Sequence, residues 1–172
     1  MLNTRTVLAA AATASALFVS GAVKADDDDH HFQRRFTTNL SGFHEVAGNS
    51  TTGEGRLTLT INDKDQTIDF KLTFKNLSGN PAAAHVHFGQ NHTNGGVMFF
   101  FCGGGPQNTA CPAATEGTLT GTISATDIVG PAAQGIAIGE FAEAIAAIRG
   151  GVAYGNIHTA MFPGGEIRGQ LR

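Results

Sequence analysis

Basic residues are scarce in this chain. Lys and Arg number 11 against 14 Asp and Glu in 172 residues, with no basic stripe and no basic-aromatic interleaving. The electrostatic footprint of a nucleic-acid-binding surface is therefore missing. Long apolar runs are missing too: after residue 19 no segment is apolar enough to cross a bilayer as a helix. Serines 41, 50, 78 and 124 lie in no nucleophile elbow, and no Ser, His and Asp set announces itself by local motif. The glycines at 103–105 and 164–165 lack the strand-loop-helix setting of a phosphate cradle and read as flexible loop and tight turn.

What is present begins with an address. Arg5 supplies a positive start, Val7 to Val19 is an Ala-rich apolar run, and Val23-Lys24-Ala25 offers small residues before a cleavage point. Residues 1–25 read as a signal peptide and the chain as exported, to a periplasm or out of the cell. Without Arg5 and Lys24, nine basic residues face fourteen acidic ones, a net charge of −5. Four of the acidic residues fall in Asp26-Asp27-Asp28-Asp29-His30-His31, so residues 26–33 read as a disordered acidic and His-bearing tail. Residues 34–172 are one domain with a core of its own.

Cys102 and Cys111 bracket eight small or polar residues, Gly103 to Ala110. Their spacing is not that of a zinc knuckle, and an exported chain meets an oxidising compartment, so a disulfide is expected.

Periodicity predicts β structure. Leu57, Leu59 and Ile61 alternate with polar residues, as do Ile68, Phe70, Leu72 and Phe74, and the turn Asn62-Asp63-Lys64-Asp65 makes the two runs a hairpin. Further strands are expected near 34–41, 82–88, 96–101, 117–124, 152–159 and 165–171, with Phe99-Phe100-Phe101 buried on both faces or lying under the disulfide loop. Phe141, Ile145 and Ile148 share one face of a short helix over about 140–149, which ends at Gly150-Gly151. A further helical turn near 126–131 and a loop over 131–139 precede it. The fold class is mostly β, an antiparallel sandwich or Greek-key barrel with one helix.

Strand alternation places His85 and His87 together opposite Val86, and His158 with Tyr154 and Asn156 opposite Ile157. Two histidines at i and i+2 project from one face, and a third from a nearby strand completes three nitrogen ligands. His85, His87 and His158 are thus candidate ligands for copper or zinc, with His44 and His92 as extra donors. Glu45, Glu166 and Arg168 read as structural polar pairs, Glu166 or Glu45 meeting Arg168 to tie the first and last strands together. The histidines also admit a structural reading, as donors to loop carbonyls.

Several phrases together carry a resemblance: Leu40-Ser41-Gly42-Phe43-His44-Glu45-Val46, Gly53-Glu54-Gly55, Ala84-His85-Val86-His87-Phe88-Gly89, Gly155-Asn156-Ile157-His158-Thr159, and Pro163 to Leu171. The chain resembles the CHRD domain family, named after the extracellular protein chordin, over roughly residues 34–171. The resemblance implies an exported, non-enzymatic binding module for a protein or small ligand engaged by loops or the polar sheet face. His85-Val86-His87 with a later histidine also looks like the copper-binding strand of Cu/Zn superoxide dismutases. The dense downstream His and Asp pattern of those enzymes is missing, so dismutase-like redox activity is the least favoured reading.

Overall fold

A computed structural model describes residues 34–64 and 66–172. The expected signal peptide, 1–25, and acidic tail, 26–33, lie outside the described residues. Eight strands form one antiparallel sheet: β1 Arg35–Ser41, β2 Glu54–Asn62, β3 Thr67–Lys75, β4 Pro81–Phe88, β5 Gly96–Cys102, β6 Gly117–Ile123, β7 Ala153–Thr159 and β8 Ile167–Gln170. Their order across the sheet is β5-β4-β7-β8-β1-β2-β3-β6, and the two edge strands approach one another in a nearly closed barrel. Of the sandwich and the barrel that the sequence left open, the barrel forms.

The hairpin read from alternation pairs along its whole length, with Leu57 opposite Leu72 and Leu59 opposite Phe70. The apolar positions of β2 and β3 all turn inward and meet Phe36, Leu40, Val86, Phe99, Ile157 and Ile167 in one continuous core. Pairing and alternation reinforce each other, because a one-residue slip would turn every one of these side chains to the outside. The barrel is narrow where β7 passes β2. A Cβ on Gly155 would lie 2.5 Å from Leu57 Cδ2, so glycine is what lets the two walls approach.

Helix α1, Phe141–Arg149, buries Phe141, Ala144, Ile145, Ala147 and Ile148, a wider stripe than its large apolar residues alone mark. Arg149 Nη2 then donates to both carboxylate oxygens of Asp63 at 2.8 Å, fixing the helix end to the β2–β3 turn. The turn expected near 126–131 is a 3-10 turn over Ala125–Asp127, where the Asp127 carboxylate accepts from Ser124 N and Ser124 Oγ. A second 3-10 turn, Ala132–Gln134, stands inside the stretch expected as loop.

Cys102 and Cys111 form a disulfide with 4.9 Å between their Cα atoms. Phe99 and Phe101 point into the core. Phe100 points outward under the disulfide loop, close to Gly104 and Gly105. Among the described residues, no helix is long and apolar enough to cross a membrane.

Candidate metal centre

Strands β4 and β7 are neighbours, and their register sets His85 opposite Asn156, His87 opposite Tyr154 and His158 opposite Ala83. Alternation sends Val86 and Ile157 into the barrel and the histidines out of it. The outer face is not left to solvent. His85 is buried and His87 and His158 are partly so, and the loop over 89–95 is tied to this side of the sheet. Arg168 of β8 donates to Gln90 O at 3.2 Å, Thr93 O at 2.7 Å and Asn94 Oδ1 at 3.4 Å, and Gln170 Nε2 donates to Gly89 O.

Beside that loop the three imidazoles meet. One nitrogen from each of His85, His87 and His158 lies within 4.8 Å of the others, and the His85 ring centroid is 4.5 Å from that of His87 and 4.7 Å from that of His158. Backbone carbonyls fix two of the tautomers. Gly95 O and Pro163 O can only accept, so His87 Nδ1 donates to the first at 2.8 Å and His158 Nδ1 to the second at 2.9 Å. Both rings therefore carry a lone pair on Nε2. That of His158 accepts from Asn156 Nδ2 at 2.9 Å, whereas His87 Nε2 and His85 Nδ1 are buried with no hydrogen-bond partner.

The electrostatics favour neutral rings. Burial, reinforced by the neighbouring His87 and His158, pushes the His85 pKa down to about 3. Burial also lowers that of His87, against the pull of the Gly95 carbonyl. A neutral imidazole whose other nitrogen is anchored on a carbonyl is the form and the setting that a metal ligand requires. With metal–nitrogen bonds of about 2.0–2.1 Å, ligand nitrogens sit roughly 3.3–3.6 Å apart. To hold an ion the group, spread over up to 4.8 Å, would have to contract, and His158 would have to exchange its hydrogen bond with Asn156 for the ion.

The other residues expected at the site divide. His44 is exposed and donates from Nδ1 to Arg168 O at 3.2 Å, and His92 is exposed in the 89–95 loop; neither belongs to the imidazole group. Glu166 leaves the polar face too, because it precedes the regular part of β8. It is fully buried and accepts from Thr51 Oγ1, Ser78 N, Ser78 Oγ and Thr159 Oγ1 at 2.6–2.8 Å. Burial alone would raise its pKa, but these hydrogen bonds outweigh it and hold the carboxyl below its ordinary value. Among the described residues Glu166 makes no ion pair with Arg168.

Arg168 is 1% exposed, and its guanidinium carbon lies 3.3 Å over the Tyr154 ring, whose other partner is the His87 ring, stacked at 4.6 Å. Its charge attracts that of Glu45. Burial nevertheless dominates at Glu45 and pushes its pKa up to about 7, with Arg168 and the Asn156 amide pulling it back. Asn156 and Tyr154, which touch the histidines most closely, were placed by alternation on the same face but carry no ligand pattern of their own. Thr51, Ser78 and Thr159 gave no signal at all, being ordinary strand and loop residues until Glu166 gathers them.

A protein-family model described as the CHRD domain matches residues 36–171. No curated protein and no solved structure matches the chain.

Proposed function

We propose that this chain, which belongs to the CHRD domain family, is an exported, non-enzymatic binding module whose ligand is a copper or zinc ion held by His85, His87 and His158. One observation carries the reading: three imidazoles converge on the outer sheet face, with two of their nitrogens buried and unpartnered. A buried polar atom without a partner costs free energy, and a cation supplies what both nitrogens lack. The disulfide supports an oxidising compartment, consistent with export.

The test is metal content by elemental analysis and affinity by calorimetry, on the full chain and on a variant lacking Asp26 to His31. Close to one ion per chain, retained without the tail and lost in His87→Ala with the fold intact, is the expected result. Binding that disappears with the tail, or none at all, removes the proposal.

A second reading draws on the loops. Val46 and Met161 are exposed and, with Glu45 and Phe162, line a cleft of about 280 Å³ beside the 160–165 turn. A small apolar ligand or a partner protein taken there would be lost in Met161→Asp, which leaves the histidines untouched; metal binding unchanged in that variant separates the two readings.

A further inference from the structure

Asn156 has no part in a three-imidazole site, yet its side chain lies at the middle of it. It is 3% exposed and interacts with His85, His87, His158 and Glu45. Its amide orientation follows from chemistry: His158 Nδ1 donates to Pro163 O, so His158 Nε2 must accept, and the Asn156 atom facing it must be Nδ2. The amide oxygen is then on the other side, and it is buried without a partner.

We propose that Asn156 Oδ1 is a fourth donor to the metal ion, with the Glu45 carboxylate taking over the Asn156 amide hydrogen when the ion binds. The inference rests on the metal reading above. Its warrant is that four buried polar atoms in this neighbourhood lack partners: His85 Nδ1, His87 Nε2, Asn156 Oδ1 and Glu45 Oε1. His87 Nε2 and Asn156 Oδ1 are both acceptors, so neither can satisfy the other. The ion competes with Asn156 Nδ2 for the lone pair of His158. Once the ion holds that lone pair, Nδ2 needs an acceptor, and Glu45 Oε1 is the unpartnered one in its surroundings. A single ion therefore gives every one of these atoms a partner. Three imidazole nitrogens and an amide oxygen suit zinc or copper(II) rather than copper(I), which prefers sulfur.

Zinc titration of the full chain and two variants tests this. Asn156→Leu keeps the shape and removes both polar atoms, and zinc should bind it at least about tenfold more weakly, the lower end of what losing a ligand's support costs. Asn156→Asp keeps an oxygen in place and should retain wild-type affinity or exceed it. In the wild type, the Asn156 side-chain carbonyl carbon and amide nitrogen resonances should both shift on zinc addition, and this decides the matter if the leucine variant fails to fold. Unchanged zinc affinity in Asn156→Leu, or unmoved Asn156 signals while His87 shifts, would mean that water completes the site and would overturn the inference alone. No zinc bound by the wild type would overturn the metal reading and this inference with it.

Discussion

His87 is held from three sides: Gly95 O anchors Nδ1, Tyr154 stacks on the ring, and His85 meets it edge-on. Only Nε2 is left without a partner. His87→Ala should therefore remove metal binding with little loss of fold, which circular dichroism beside calorimetry reads out. Proton linkage gives a second prediction at this scale. A His85 pKa of about 3 against an ordinary 6.5 means the unfolded chain binds the extra proton between those values, so this residue's contribution is present above pH 6.5 and is lost as pH falls toward 3. Glu45, raised from 4.5 to about 7, acts in the opposite sense: the folded protein holds the proton, and stability is lost as pH rises through that window. Each full proton of difference is worth about 1.4 kcal/mol per pH unit. Glu45→Gln should thus gain stability more steeply between pH 4.5 and 7 than the wild type, as measured by urea unfolding across pH. Parallel curves would contradict the Glu45 assignment. The histidine group was legible at this scale because i, i+2 spacing on a strand is a geometric statement; the departure of Glu166 was not, because alternation fails one residue before β8 begins.

Glu166 belongs to the ties between elements. Its carboxylate joins the Thr51 loop, Ser78 and the end of β7 through four hydrogen bonds. Glu166→Ala orphans several buried donors at once and should cost roughly 2–4 kcal/mol in denaturant unfolding, while zinc affinity stays unchanged. A loss of metal binding with the fold intact would place Glu166 back in the site. The disulfide loop is a second element-level tie, because it covers Phe100, whose ring stands edge-on to His85 at 5.0 Å. Closing this short loop should contribute about 2–3 kcal/mol, which unfolding with and without reductant measures. The strands were readable from period-two alternation, and the helix from its apolar spacing and terminal Gly150-Gly151. The turn near 126–131 was anticipated and lies at Ala125–Asp127, whereas the 3-10 turn at Ala132–Gln134 was not, since a single turn leaves no periodic trace.

At the scale of the whole molecule, the barrel and the site are one arrangement. The sheet order brings β4 beside the β7–β8 pair although it is distant from them in sequence, and Gly155 lets β7 lie close against β2 across the core. Inward positions then fill the barrel, and outward positions on those three strands collect the histidines, Asn156 and Arg168, with the 89–95 loop tied down over Arg168. Alternation along each strand was visible in the sequence, but strand order was not, because pairing between remote segments depends on the closed sheet and not on any local pattern. The covering of the polar face was hidden for the same reason: Arg168 reaches backbone carbonyls of Gln90 and Thr93, and carbonyls have no residue type to read.

If the fold itself holds a metal ion on three imidazoles, binding must depend on those side chains and not on the tail. The decisive measurement titrates zinc and copper(II) into the full chain and into a variant carrying His85→Ala, His87→Ala and His158→Ala, with bound metal counted in each. One ion per wild-type chain and none on the folded variant is the expected result. Equal binding by both proteins, or no ion on the wild type, would rule out a metal site on these histidines.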